Sequence, residues 1–183
     1  MPAFALPSAP SRLFRWDPTP PRIGRRAVSY YARWPSRTQG RAILLQSKEL
    51  LPIASLLESC AILQLIQAFH EQPGVLTRPA AIRSTAYQPD FLFSRNGISY
   101  LVFASQRSLA QAADLAPHLL AVCETSQTSP TTLCHFRVCR FSPTKATISA
   151  LSALSPARLQ RGLPSHTEQR LVTHLFREWI GGH

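Results

Sequence analysis

Tyr87-Gln88-Pro89-Asp90-Phe91-Leu92-Phe93-Ser94-Arg95-Asn96-Gly97-Ile98-Ser99-Tyr100-Leu101-Val102-Phe103-Ala104 places two apolar runs on either side of an Asn-Gly pair. A two-residue type I′ turn needs positive φ at both central residues, and Asn-Gly supplies it at least cost. The stretch therefore predicts a β-hairpin with Asn96 and Gly97 at its tip. In that register Arg95 faces Ile98, Asp90 faces Phe103, and Ser105 lies two residues further along the same face. A slip of one residue would send Asp90 to the other set of neighbours.

Working upstream, Leu50 to Phe69 reads as a helix. Leu56, Cys60 and Leu63 form one apolar line, and Ile62, Leu65 and Phe69 form an adjacent one, at steps of three and four. Glu58 falls on the second line. A carboxylate on a buried face needs a cation, a hydrogen-bond donor or a metal unless it lies at the edge of the stripe and reaches water. Gln72-Pro73-Gly74 ends this segment, and Val75 to Ile82 reads as an edge or bulged strand interrupted at Pro79. Downstream, Gln106 to Leu120 has helical spacing, and Leu133 to Phe141 alternates as a strand with Cys134, Phe136 and Val138 inward. Ser165-His166-Thr167-Glu168 is a capping box that opens a last helix with Leu171, Val172, Leu175, Phe176 and Trp179 on its apolar face. That face either covers the core or docks a partner. The order of elements predicts an α/β fold, a mixed sheet flanked by helices.

The chain has 183 residues, with 20 Lys+Arg against nine Asp+Glu and a formal net charge of +11. Lys48 and Lys145 are the only lysines, so arginine carries the excess. Arginine forks match phosphate oxygens and stack on flat rings, which points to a polyanion, most simply double-stranded DNA. Residues 1–40 hold seven prolines and seven arginines. They read as an extended basic arm in which Arg22, Arg25, Arg26, Arg33 and Arg37, with Arg41 just beyond, stand beside Phe14, Trp16, Tyr30, Tyr31 and Trp34. The alternative is a terminus whose aromatics pack back on the domain. The division expected is a basic arm (1–40), a core domain (41–142) and a C-terminal helical extension (143–183).

The start lacks the basic, then apolar, layout of a secretory signal, and no apolar run approaches the ~20 residues of a membrane span. A cytoplasmic protein without a membrane partner is the expectation. Cys60, Cys123, Cys134 and Cys139 have no zinc-type spacing, so buried free thiols are expected. Metalloprotease, nucleophile-elbow and phosphate-loop motifs do not occur in the sequence.

A helix-borne acid followed by Pro-Asp at a hairpin strand is the pattern of PD-(D/E)xK nucleases, where carboxylates hold Mg²⁺ and a lysine on the returning strand steadies the reacting phosphate. Glu58 and Asp90 supply two such acids. Arg41-Ala42-Ile43, Ser55-Leu56-Leu57-Glu58, Val75 with Arg78-Pro79 and Ile82, Tyr87-Gln88-Pro89-Asp90-Phe91-Leu92, and Gly97 with Leu101-Val102 together resemble the N-terminal catalytic domain of TnsA. TnsA is the endonuclease subunit of heteromeric cut-and-paste transposases. The likeness covers roughly residues 25–110. It implies a restriction-endonuclease-like fold, Mg²⁺-dependent cleavage at transposon ends, and work beside an integrase-type transposase subunit and an ATPase regulator.

Glu58 and Asp90 match the family's helix acid and metal-binding Asp. Arg78 replaces its Gln before Pro79. Phe103-Ala104-Ser105 stands where the family has acid-x-lysine, so one metal ligand and the catalytic ammonium are missing. Gln106, taken as the third candidate catalytic residue, and Arg107 follow directly, and Lys48 lies ten residues before Glu58. Three readings follow: a transposon-end nuclease with a rearranged site, a non-catalytic pseudo-nuclease or adaptor that keeps the DNA or partner surface, and an interaction module unrelated to DNA.

Overall fold

The computed structural model describes residues 14–18, 32–78, 84–115, 118–123, 132–152, 154, 162 and 164–181. The predicted hairpin is its centre. Strands β7 (Phe91–Arg95) and β8 (Ile98–Phe103) pair antiparallel with Arg95 opposite Ile98 and Phe91 opposite Val102. Asn96 and Gly97 take φ of +49° and +74°. The pair Asp90–Phe103 falls one step past the end of the ladder, where the Asp90 N–H donates to the Val102 carbonyl at 2.8 Å.

Around the hairpin a five-stranded sheet has the order β4-β7-β8-β10-β9, with β4 at Ala68–Glu71, β9 at His118–Cys123 and β10 at Thr132–Arg140. β4 and β8 each run antiparallel to β7, while β10 runs parallel to β8. Helix α1 (Leu50–Ile62) precedes β4, and the short α2 (Gln106–Gln111) crosses from β8 towards β9 and β10. A hairpin of β2 (Ala32–Ser36) and β3 (Arg41–Leu45) and a three-stranded sheet of β1 (Arg15–Asp17), β5 (Val75–Arg78) and β6 (Thr85–Tyr87) complete the strands.

The central sheet is buried on both faces, and alternation along β8 divides the core. Tyr100 and Val102 join Phe69, Phe91 and Phe93 beneath α1, α3 (Lys145–Ser152) and α4 (His166–Gly181). Leu101 and Phe103 face the other way, against Trp16, Leu76, Tyr87, Phe136 and Val138. Phe136 and Val138 are thus inward as expected, and the side chain of Cys134 lies outside the described residues. The chain is a mixed α/β protein with four helices among the described residues.

The capping box forms at α4: the Ser165 N–H and Oγ both donate to Glu168 Oε2 at 2.7 Å. Phe176 and Trp179 pack on Phe93, and Trp179 Nε1 donates to the Arg140 carbonyl at 3.1 Å. The apolar face of this helix therefore covers the core. Cys60 and Cys139 are free and buried. Burial pushes both thiols up, that of Cys139 to about 12.

Two expected helices need correction. Helix α1 stops at Ile62, where Gln64 turns to positive φ, and Ala68–Glu71 pairs as a strand with β7. The helix expected over 106–120 ends as α2 and a 3-10 turn at Ala112–Asp114, and His118–Cys123 is an edge strand paired with β10. The boundary at residue 40 falls inside the β2–β3 turn. In β2, Trp34 is buried in the main core, and in β1 Trp16 is buried against Phe136, so both described parts of 1–40 pack on the domain.

Gly74, at φ +147°, lets β1 approach β5: a Cβ there would lie 2.1 Å from the Asp17 carbonyl oxygen. Gly74→Ala is expected to lower stability by about 2–3 kcal/mol, read as a shift in the urea midpoint with unchanged slope.

Candidate functional site

Glu58 lies on α1, and Asp90 stands just before β7. Glu58 sits a little over two turns into α1 and is 1% exposed. The β2–β3 turn folds over its carboxylate. Oε1 accepts the N–H groups of Arg37 and Thr38 at 2.8 and 3.0 Å, and Oε2 accepts the hydroxyls of Ser36 and Thr38 at 2.7 and 3.0 Å. Four donors fill the roughly four lone-pair positions of a carboxylate. Glu58 is thus the buried acid that meets hydrogen-bond donors.

Asp90 performs a comparable task at the start of α2. Oδ2 accepts the N–H groups of Ala104 and Ser105 at 2.8 and 2.9 Å and the hydroxyl of Ser108. Oδ1 accepts the hydroxyl of Ser105 at 3.0 Å. Ser105 is itself the N-cap of α2, accepting from the Ser108 N–H at 3.2 Å. Ser105 therefore joins Asp90 in terminating β8 and starting α2. Phe103 is fully buried in the second core face.

As an Mg²⁺ pair, Glu58 and Asp90 do not fit. Mg²⁺ needs ligand oxygens about 2.0–2.1 Å from the ion, whereas these two carboxylates are bound by different elements and carry full or nearly full donor shells. The acid that reaches the Asp90 turn is Glu49, at the entry to α1. Its Oε2 accepts the Gln106 N–H at 2.9 Å, one amide beyond the two held by Asp90. Glu58 is nine residues further, roughly 13 Å along the helix axis. Glu49 carried no signal in the apolar periodicity, since it precedes it. Among the described residues there is no cluster of three or more His, Cys, Asp or Glu able to hold a metal ion.

Gln106 is exposed and enters this turn through its backbone. Arg107 borders a shallow recess of about 40 Å³ at Asp90, with Gln46, Gln72, Gln88 and Gln111. That space suits one or a few waters rather than a nucleotide. Lys48 borders a wider groove of about 620 Å³ with Glu49, Leu51, Phe141 and Ile148.

Of the arginines expected to meet DNA, Arg22, Arg25 and Arg26 lie outside the described residues. Arg33 and Arg37 are exposed, and Arg37 Nη1 donates to the Gly162 carbonyl at 3.3 Å. Arg41 is already used: its two terminal nitrogens grip Glu71 at 2.6 and 2.7 Å, tying β3 to β4. A bidentate pair of this kind leaves little of the fork for phosphate. No helix among the described residues is long and apolar enough to cross a membrane.

No protein-family model matches the chain, and no curated protein is significantly similar to it.

Proposed function

We propose that this chain is a non-cleaving relative of the TnsA endonucleases that binds double-stranded DNA and positions it for partner proteins, an integrase-type transposase subunit and its ATPase regulator. The observation that carries this reading is the use of Asp90. In the nuclease pattern that residue turns an open carboxylate to a cation; here its carboxylate is spent on the Ala104–Ser108 turn. Support for a restriction-endonuclease-like fold is the chain order α1, β4, β7, β8, α2, β9, β10 around the five-stranded sheet, in which β4 and β8 run antiparallel to β7 and β10 returns parallel to β8. Pro89-Asp90 stands at the entry to the second of these strands.

Loss of the acid and the lysine removes a metal ligand and the charge that would steady a pentavalent phosphate. Keeping the hairpin while spending its acid on hydrogen bonds retains a scaffold without a cutting centre. The net charge of +11 supplies the sequence-independent affinity that positioning requires.

The test pairs two assays on the full chain. Fluorescence anisotropy with a 20-base-pair duplex is expected to give binding whose logarithm falls linearly with log salt and is the same in Mg²⁺ and EDTA. Supercoiled plasmid incubated with protein and Mg²⁺ or Mn²⁺ is expected to remain supercoiled. Nicking abolished by Asp90→Asn would overturn the reading in favour of an active nuclease, and absence of duplex binding at low salt would overturn it in favour of a module unrelated to DNA.

A further inference from the structure

The outward face of α4 is basic, and its two arginines are unspent among the described residues. His166, Gln169, Arg170, Thr173, His174 and Arg177 border a shallow trough of about 370 Å³ along it. At 100° per residue they occupy one side of the helix, away from Val172 and Phe176, which are buried. Arg170 and Arg177 are exposed and make no ion pair or hydrogen bond among the described residues. Elsewhere Arg41, Arg78 and Arg140 are engaged with Glu71, with Asp114 and with carbonyls at the end of α2. The acids of α4 are occupied at the margins: Glu168 caps the helix through Ser165, and Glu178 meets His174 at 3.4 Å. Gln169 Nε2 donates to the Pro164 carbonyl at 2.8 Å. The Arg95 guanidinium lies 5.4 Å from the centre of the Phe176 ring, bringing the hairpin's cation beside the same helix.

We propose that this face of α4 is the surface that docks double-stranded DNA. The inference rests on the DNA-binding reading above and names where it happens. Arg170 and Arg177 are two helical turns apart, roughly 10 Å along the axis. A helix with its side chains is about 10–12 Å across, and the major groove is about 12 Å wide. A helix laid there presents its two guanidiniums to phosphates or guanine edges, with Thr173 between them facing the base pairs. The apolar side stays on Phe93, so binding needs no rearrangement of the core.

The deciding experiment measures duplex affinity and its salt dependence for the full-length wild type, Arg170→Ala/Arg177→Ala, the charge-reversed R170E/R177E, and Lys145→Ala as a control on another exposed helix. The alanine pair is expected to bind about 10- to 100-fold more weakly near 0.1 M salt, with the slope of log affinity against log salt reduced by about two. R170E/R177E is expected to lose more, and K145A to stay within about twofold. Circular dichroism should be unchanged in all three. Wild-type binding that the α4 variants leave intact would overturn this assignment while sparing the DNA reading; failure of the wild type to bind overturns both. Phosphatidylcholine vesicles containing phosphatidylserine form the last arm. Vesicle association lost in the variants with duplex affinity retained would assign the face to an anionic membrane and overturn the proposal.

Discussion

Glu58→Ala is expected to destabilise the protein by about 3–4 kcal/mol. The substitution strips four donors of their acceptor beneath the β2–β3 turn. An orphaned buried donor costs about 1–3 kcal/mol, and bonds to a charged acceptor are at the stronger end. Arg37 and Thr38 are exposed enough for water to satisfy part of the loss, which keeps the total below a simple sum. Glu58→Gln should recover only part of the difference, because its NH₂ group would face two donors. Both variants are read by urea denaturation in EDTA. The sign is informative: a carboxylate held in a buried site for a missing cation would be a burden, and its removal would leave stability unchanged or improved. Stabilisation by Glu58→Gln would therefore contradict the structural role assigned here.

Asp90→Ala is expected to cost about 2–4 kcal/mol, and to do so locally. Its carboxylate accepts from two backbone amides and two serine hydroxyls that together fix the exit of β8 and the first turn of α2. Asparagine keeps one acceptor oxygen and should cost about half as much. Native-state hydrogen exchange gives the sharper readout: the amides of Ala104, Ser105, Ser108 and Leu109 should lose protection in the alanine variant while those of β7 retain theirs. Protection unchanged at Ala104 and Ser105 would show that Asp90 does not hold this turn.

These assignments were only partly legible in the sequence. The hairpin could be read because Asn96-Gly97 sets its register within two residues. The capping box was equally local. Glu58 was legible as a problem, an acid on an apolar face, but its solution lay in Ser36, Arg37 and Thr38, about twenty residues upstream, and no local pattern links them. The strand at Ala32–Ser36 does leave a trace, with buried Trp34 and Ser36 alternating with exposed Arg33 and Pro35, yet the density of proline and arginine around it suggests an arm.

The misread elements share one cause. Leu109, Ala112, Ala113, Ala116 and Leu119 keep helical spacing, but pairing with β10 draws His118–Cys123 into the sheet. Leu65 and Phe69 likewise continue the α1 pattern, while Phe69 is buried opposite Phe93 in β4. In both places tertiary pairing overrides a local preference. Glu49 was missed for a different reason: next to Lys48 at a helix entry, it has the appearance of a solvated charge pair, and its place at Gln106 depends on a contact 57 residues away.

Glu58 and Asp90 hold the β2–β3 turn and the start of α2 through hydrogen bonds, and a cation would have to displace those donors. Calorimetric titration of Mg²⁺ and Mn²⁺ into the full-length wild type, Asp90→Asn and Glu49→Gln tests this role most directly. No saturable heat is expected in any of the three. Stoichiometric binding by the wild type that disappears in Asp90→Asn and Glu49→Gln would contradict it, placing a working metal site between those two carboxylates.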